Sequence, residues 1–282
     1  MIPAVKKQTL KEGFVIFNKI TCFGDRTIVA FAREYLRSFL DIEIFFSDKA
    51  EANTFFIYKE DLKQGAYRFS VDEKILIEYK DKESVRNALA TLLQLIEPQK
   101  EASYVLRCQN IEDHANCNYR SVMIDLARGL PDKDRLKEDI KRLSLAKCNK
   151  LHLHLMDSLG LCYVSEVFKT DSIRGTEPYS KEDLKALVAY CNGLGIDVIP
   201  EIEIPAHAKQ LLLKYPQLKC QTEAENPSDW VVCAGSEKTY VFFERLIAEI
   251  CAIFSSEYVH IGGDEHAFYD LPQSNRKRNW HE

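Results

Sequence analysis

The chain has 282 residues, of which 46% are hydrophobic and 29% charged, and it carries a formal net charge of -5. This length and composition predict a globular protein of one large domain or two ordinary ones. Acidic and basic residues are mixed along the whole chain without a basic stripe, which excludes nucleic acid as a partner. The apolar runs are shorter than a signal-peptide core or a membrane span requires, so we expect no membrane partner and a cytoplasmic location for the chain as written.

The first region, residues 1–112, is predicted to form a small α+β domain. Short β-type runs alternate there with two amphipathic stretches, 27–40 and 82–96, whose apolar residues recur at helical spacing. Asp25 stands where it can cap the first of these helices. The predicted strands are residues 14–17, 42–46, 54–58, 67–71, 75–79 and 104–108.

In the second region, residues 118–282, strands and helices alternate after the polar segment 110–116. The predicted elements are, in order, 122–126, 134–146, 151–155, 181–192, 196–202, 237–254 and 258–261. Ser180 and Asp183 have the spacing of a capping box at the start of one helix. The alternation predicts an α/β fold, namely a parallel (β/α) TIM-type barrel truncated after about four β/α units.

Polar or ionisable side chains follow each predicted strand of the second region. The carboxyl end of a parallel barrel strand is where active sites are built. Residues two apart on a strand share a face, and a buried carboxylate without a partner is costly, so a polar network inside the barrel is predicted. The side chains at the four strand ends are Asp125 and Arg128; His152, His154 and Asp157; Glu201, Glu203 and His207; and His260, Asp264 and Glu265.

The adjacent acids Asp264 and Glu265 are the strongest functional candidates. An Asp-Glu pair usually lies on a solvated loop, but this pair follows an apolar strand and two glycines, which let backbone or ligand approach closely. A single histidine on a strand, such as His152 or His260, is more often a hydrogen-bonded core residue than a catalyst. The nine cysteines show no CxxC spacing and are predicted to be reduced thiols that fill core positions.

At these residues the sequence resembles the beta-N-acetylhexosaminidases of glycoside hydrolase family 20. The resemblance lies in segments 123–128, 149–157, 198–208 and 260–265, which occur in the family's order. Segments 65–68 and 89–95 resemble the small α+β domain that commonly precedes the family's barrel. The resemblance implies an N-acetylhexosamine-containing glycan as the partner, and neither a cofactor nor a metal.

The resemblance also implies roles for individual residues. Glu265 would be the general acid, and Asp264 would orient the 2-acetamido group of the substrate, whose oxygen attacks the anomeric carbon in a retaining, substrate-assisted mechanism. Asp157 and His207 would form a relay to Glu265. The implied substrate-binding residues are Arg128, Glu203 and His154, of which Glu203 stands where the family usually has Asp.

The chain departs from the family pattern in sequence and in length. Ser158, Leu159 and Leu161 replace a second Asp, Gln and Trp, and Ala206 replaces a Gly. A complete barrel has eight strands in about 250 residues, whereas the second region supplies about four β/α units. We therefore expect the 282-residue product to lack measurable hexosaminidase activity and to self-associate through the open half-barrel.

Two other functions are compatible with the sequence. A metal-dependent TIM-barrel hydrolase would use His152, His154, Glu201, His207 and Asp264 around a divalent ion. A catalytically inactive carbohydrate-binding or structural fragment is the other alternative. The sequence leaves open whether glucosamine-type or galactosamine-type residues are preferred.

Overall fold

A computed structural model of the chain describes residues 1–47, 54–100, 103–220 and 229–265. The chain divides into two compact units. The first consists of Met1–Ser121, Glu138–Asn149 and Cys191–Ile196, and the second contains the remaining segments, which start at Val122, Lys150 and Asp197. Two short segments of the region beyond residue 118 therefore pack within the first unit.

A mixed sheet of eight strands forms the first unit, with the strand order β1-β8-β5-β6-β4-β2-β3 and with β7 paired to β8. β2 pairs in parallel with β3 and β4, and β4 with β6, whereas β8 pairs antiparallel with β1 and β5. The elements are β1 (Lys7–Phe17), β2 (Lys19–Gly24), α1 (Arg26–Arg37), β3 (Glu43–Phe46), β4 (Thr54–Lys59), β5 (Tyr67–Val71), β6 (Ile75–Tyr79), α2 (Lys82–Leu95), β7 (Glu97–Pro98) and β8 (Tyr104–Asp113).

Both predicted helices of this unit are confirmed, as is the cap on the first. The Asp25 carboxylate accepts hydrogen bonds from Thr27 N at 3.0 Å and Ile28 N at 3.1 Å. These bonds satisfy two of the amide donors that the first turn of a helix leaves free. α2 begins with a capping box between Asp81 and Ser84.

The strands of the first unit differ from the prediction most clearly at β1, β2 and β8, and the two-residue β7 was not predicted either. β1 begins at Lys7 rather than at residue 14, and β8 continues to Asp113 rather than ending at 108. β2 was not predicted, because its six residues follow β1 after a single intervening residue and offer little alternation of their own. Two parallel neighbours, distant in sequence, hold β2 in the sheet.

Three strands of the second region form one sheet, in which they lie in the order β13-β10-β9. β10 and β13 are parallel, and His154 lies opposite Glu201. The elements are β9 (Ser121–Asp125), α3 (Lys133–Leu145), β10 (Lys150–His154), β11 (Met156–Asp157), β12 (Gly160–Leu161), α4 (Lys181–Gly193), β13 (Asp197–Glu201), α5 (Lys209–Lys214), a 3-10 turn at Pro216–Leu218 and α6 (Glu237–Cys251). The predicted alternation of parallel strands and helices is confirmed.

The start of α4 carries the predicted capping box. Ser180 N donates to Asp183 Oδ2, and Asp183 N donates to Ser180 Oγ, both at 3.0 Å. These reciprocal bonds fix the point at which the chain enters the helix.

The predicted strand 258–261 is present only as a single parallel bridge between His260 and Glu201. Hydrogen bonds on both sides of the bridge hold it, since His260 N donates to Pro200 O at 2.9 Å and Ile202 N donates to His260 O at 3.1 Å. Gly262 then turns the chain away with φ +70°, which ends the extended segment. The bridge nevertheless places His260 beside the end of β13.

All nine cysteines are free thiols. Cys117 and Cys251 are exposed, so the prediction that the cysteines fill core positions is wrong for these two. Within the described parts of the chain, no helix has both the length and the apolar character that a membrane crossing requires.

Candidate active site at the strand ends

The candidate site lies in the second unit, where β9, β10 and β13 end. These strands end at Asp125, His154 and Glu201, and the bridge at His260 adds a fourth position. Since neighbouring parallel strands end at the same edge of a sheet, the side chains that follow them converge. The ionisable residues singled out by the sequence are thereby brought into one contact network.

Three histidines surround Glu201, which is 3% exposed. Its Oε2 lies 2.8 Å from His152 Nε2 and 3.0 Å from His154 Nδ1. Its Oε1 lies 2.8 Å from His260 Nδ1. Burial alone would raise the pKa of Glu201, but the hydrogen bonds and charges of His152 and His154 outweigh burial and lower that pKa. Glu201 is therefore a carboxylate at neutral pH.

His154 links Glu201 to Asp157. Its Nδ1 lies 3.0 Å from Glu201 Oε2, and its Nε2 lies 3.2 Å from Asp157 Oδ2. Burial opposes the charged form of the ring, but the hydrogen bonds to Asp157 and Glu201 prevail and raise the pKa of His154 to about 10. The ring is thus an imidazolium whose two N–H groups both point at carboxylates.

Asp157 collects several donors. Its Oδ2 lies 2.6 Å from Arg128 Nη2 and 3.3 Å from His207 Nδ1, while its Oδ1 accepts from Ser158 N at 2.5 Å. Burial would raise the pKa of Asp157, but the hydrogen bond from His154 and the charge of Arg128 lower it. Because Ser158 contributes its backbone N–H, this contact does not depend on which side chain occupies that position.

Arg128 is held by a second carboxylate as well. Its Nη1 donates to Asp125 Oδ2 at 2.9 Å, and its backbone N donates to Asp125 Oδ1 at 2.8 Å. The Arg128 side chain is 48% exposed. The guanidinium is therefore fixed by two acids while part of it still faces solvent.

The exposed acid pair meets the buried network at His207. His207 Nε2 lies 3.3 Å from Glu265 Oε2 and 3.7 Å from Asp264 Oδ2. The two acid side chains are 63% exposed, whereas His207 is 13% exposed. A carboxylate that holds one ring nitrogen of a histidine determines which nitrogen carries the proton. The contacts from Asp157 through His207 thereby reach Glu265.

The backbone at this contact is unusual. His207 and Glu265 have φ values of 54° and 49°, in the left-handed region that residues with a Cβ seldom adopt. Such conformations persist where the surrounding structure enforces them, and they cluster at functional sites. Among the described residues Lys147 and Arg174 share this conformation elsewhere in the chain, but only at His207 and Glu265 do the side chains of two such residues meet.

Trp230 is a residue that the sequence analysis did not identify. Its ring lies edge-on to His207, with the ring centroids 5.8 Å apart, and its carbonyl accepts from Ala208 N at 2.8 Å. Trp230 lies outside the strand-end pattern from which the other candidates were found. Its only signal in the sequence is that it is one of two tryptophans.

Glu203 is buried beneath Asp264. Its side chain is 4% exposed, and its Oε1 lies 3.5 Å from His154 Nδ1. Its Oε2 packs so closely on Gly262 that a Cβ at this glycine would lie 2.0 Å from the oxygen. Burial first, and then the nearby Asp264 and Glu201 charges, raise the pKa of Glu203 to about 8. Below about pH 8, Glu203 is therefore the neutral carboxyl group of this network.

The residues that the resemblance implied occupy two levels of the site. Asp264, Glu265 and part of Arg128 face solvent, whereas His154 and Glu203 are each 3% exposed. Direct contact of these two buried residues with a ligand stays a prediction. The full set of implied residues is Glu265, Asp264, His207, Asp157, Arg128, Glu203 and His154.

Among the residues that the structure describes, two groups of side chains contain the donor types that bind metals. They are His152, Glu201 and His260, and His154, Glu201 and Glu203, with donor atoms within 4.8 Å of one another. Ligands about 2.1 Å from one tetrahedral zinc ion stand about 3.4 Å apart. In the first group both histidine nitrogens lie only 2.8 Å from a Glu201 oxygen, which is a hydrogen-bond distance. With its donor atoms this close together, the first group does not fit an ion without rearrangement.

Fold and site together define a class of protein. Its members have a parallel β/α fold that presents an exposed acid pair supported by buried acids and histidines. The family model described as Glycosyl hydrolase family 20, catalytic domain, matches residues 117–282. The model described as Glycosyl hydrolase family 20, domain 2, matches residues 1–114. The chain belongs to glycosyl hydrolase family 20.

Proteins with similar sequences support this assignment. The chain is 34% identical over 198 residues to a beta-hexosaminidase of Akkermansia muciniphila, a match that covers 63% of this chain and 40% of the relative. It is 31% identical over 229 residues to a beta-N-acetylhexosaminidase of Cellulomonas fimi, covering 73% of this chain and 45% of the relative. The matches thus span less than half the length of these relatives.

Solved structures agree with the fold. A beta-N-acetylhexosaminidase from Bacteroides fragilis superposes with a TM-score of 0.82 at 26% identity, covering 95% of this chain and 57% of that chain. A family 20 exo beta-N-acetylglucosaminidase from Vibrio harveyi, in complex with N-acetylglucosamine, gives a TM-score of 0.81 at 24% identity, covering 94% and 47%. The predicted fold class is confirmed: the chain holds a small α+β domain and part of a parallel (β/α) TIM-type barrel.

Proposed function

We propose that this chain supplies the acid side of the active site of a beta-N-acetylhexosaminidase, which removes terminal N-acetylhexosamine from glycans. The observation that carries the proposal is the line of contacts from Asp157 through His207 to Glu265, with Asp264 beside Glu265. An exposed carboxyl group held by a buried histidine–carboxylate pair has the arrangement that general acid catalysis requires. The names of the relatives support the same chemistry.

In the proposed reaction the two exposed acids have different roles. Glu265, protonated, gives its proton to the glycosidic oxygen as the bond to the anomeric carbon breaks. The carbonyl oxygen of the substrate's own acetamido group forms the new bond to that carbon, and Asp264, as a carboxylate, holds the acetamido N–H. Water then opens the cyclic intermediate and returns a proton to Glu265, so the configuration at the anomeric carbon is retained.

The buried network prepares these roles. Asp157 fixes the ring of His207, and His207 in turn lies within reach of Glu265 as its charge changes. Arg128, anchored by Asp125 and Asp157, offers its remaining donors to hydroxyl groups of the sugar. Preorganised groups of this kind stabilise the transition state without rearranging during the reaction.

Hydrolysis of a fluorogenic N-acetylglucosaminide and of its galactosamine counterpart tests the proposal. The assay uses the 282-residue chain and any longer product of the same gene. Glu265→Gln should lower turnover by about 100- to 10,000-fold, because proton donation is lost. Glu257→Gln, an exposed glutamate outside the network, is the matched control and should leave turnover unchanged. If Glu265→Gln keeps full turnover, or if chelation abolishes it, the proposal fails.

We further propose that the 282-residue polypeptide self-associates. Apolar side chains of its barrel strands are exposed: Val122 by 40%, Met123 by 56% and Ile261 by 53%. Exposed apolar faces of this kind favour pairing, whereas in a longer polypeptide further barrel strands would cover them. Size-exclusion chromatography across a concentration series should show a dimer or larger species. A monomer at every concentration would contradict this proposal.

A further inference from the structure

Glu203 is a buried acid whose charge no cation among the described residues fully balances. Its Oε1 lies 3.5 Å from His154 Nδ1, but that nitrogen is 3.0 Å from Glu201 Oε2, so its proton is already shared with Glu201. Its Oε2 is buried and receives no hydrogen bond from a donor among the described residues. A carboxylate in this position would lack the donors that a buried charge requires.

The charges that face Glu203 favour its neutral form. Asp264 and Glu201 oppose a further negative charge, and the imidazolium of His154 only partly compensates for them. Arg128, another cation that interacts with Glu203, is bound by Asp125 and Asp157. Burial and these two acids raise the pKa of Glu203 to about 8. The group formed by Glu203, Asp264 and Glu201 therefore holds a proton that takes part in no ion pair. This proton resides on Glu203.

We propose that Glu203 is a neutral carboxylic acid that donates its proton to Asp264 and thereby positions the Asp264 carboxylate. The two carboxyl groups are in hydrogen-bond contact. A donor on one oxygen of Asp264 fixes the rotation of that side chain and leaves its other oxygen anionic and exposed. This inference rests on the proposed function for the role of Asp264, since an anionic oxygen is what an acetamido N–H would bind.

The glycine after the bridge permits this arrangement. A Cβ at Gly262 would lie 2.0 Å from Glu203 Oε2, so only a glycine leaves room for the longer acid. An aspartate at position 203 would withdraw the carboxyl by about 1.5 Å, the length of one carbon–carbon bond. The length of Glu203 and the absence of a side chain at Gly262 thus belong together.

The first test does not depend on catalysis. Infrared spectroscopy of the 282-residue chain carrying Glu265→Gln, so that the general acid does not contribute, and labelled with 13C at its glutamate carboxyl groups should show a protonated carboxyl at neutral pH, which deprotonates near pH 8. Glu203→Gln should remove this band, and Asp264→Asn should move its titration to lower pH because a neighbouring charge is lost. Glu257→Gln is the control and should leave the band unchanged. The absence of the band, or its survival in Glu203→Gln, would overturn the proposal.

The second test separates positioning from a purely structural role. It uses a catalytically active polypeptide that contains this chain and a substrate with an acidic leaving group, for which the proton of Glu265 matters little. The kcat of the unmodified protein should fall above pH 8, where Glu203 ionises, whereas Glu203→Gln should abolish this dependence on pH. Glu203→Asp should restore it in part. An equal loss of kcat in Glu203→Gln at every pH would indicate only a structural role and would contradict the proposal.

The two tests also distinguish the failure of this inference from the failure of the proposed function. If hexosaminides are not hydrolysed but the infrared band is present, the proposed function is wrong, whereas the proton donation from Glu203 to Asp264 is supported. If hydrolysis occurs but the band is absent, only the proposed proton donation from Glu203 to Asp264 is wrong.

Discussion

Replacing Gly262 by alanine tests how closely the site is packed around Glu203. The new Cβ would lie 2.0 Å from Oε2 and 2.6 Å from Cδ of Glu203, on a backbone with φ +70°. A left-handed backbone costs a residue with a Cβ about 1–2 kcal/mol. Overpacking a close-packed site costs about 1–3 kcal/mol more. We therefore expect Gly262→Ala to lower the free energy of unfolding by about 2–5 kcal/mol.

Gly263→Ala is the matched control for this substitution. Gly263 has φ +98°, but a Cβ there would meet nothing within 4 Å, so its replacement reports the backbone cost alone. Urea unfolding followed by the fluorescence of Trp230, in a Trp280→Phe background, reports on the second unit, to which Trp230 belongs. Equal destabilisation by the two variants would refute the packing argument, because contact with Glu203 is what distinguishes them.

Two further predictions concern charge in the site. Asp264→Asn should slow hydrolysis of N-acetylglucosaminides by about 100- to 1,000-fold, and a thiazoline mimic of the cyclic intermediate should inhibit the unmodified protein. A covalent glycosyl-enzyme trapped on any carboxylate would contradict the role of the acetamido group. Glu201 has a folded pKa below its ordinary value of 4.5, so its stabilising contribution is present above pH 4.5 and is lost as the pH falls below it. Glu201→Gln should therefore reduce the loss in the free energy of unfolding below pH 4.5, measured by unfolding at a series of pH values. An unchanged dependence on pH would show that the histidines do not stabilise the charge of Glu201.

Much of the site could be predicted because its residues follow strands in a regular order. The two glycines before Asp264 and Glu265 and the alternation of strands and helices are local patterns, and local patterns are what a sequence displays. The strands β5 and β6 were predicted with their observed limits for the same reason. Position along the chain was enough to place these elements.

The contacts that were not predicted are those between segments that are distant along the chain. β2 is held by parallel neighbours that come later in the chain, and Trp230 meets His207 across a loop. Glu201 lies among three histidines that come from two distant segments, His152 and His154 from β10 and His260 from the bridge. Such arrangements depend on packing between distant segments rather than on local propensity.

The burial of His154 and Glu203 has the same origin. At or just beyond a strand end, each could have pointed into the open site or beneath it, and the sequence does not distinguish the two. The structure places both beneath the exposed acids, where their protonation states depend on one another. Their pKa values could therefore be assigned only from the three-dimensional arrangement.

The stereochemistry of the first product tests the central claim most directly. Proton NMR recorded during hydrolysis of an aryl N-acetyl-β-glucosaminide, by a catalytically active polypeptide that contains this chain, resolves the α and β anomers before they equilibrate. Participation of the acetamido group, assisted by Asp264 and Glu265, predicts that the β anomer appears first, because configuration is retained through two displacements. Initial formation of the α anomer would mean that water attacks directly, and it would contradict the mechanism assigned to this site.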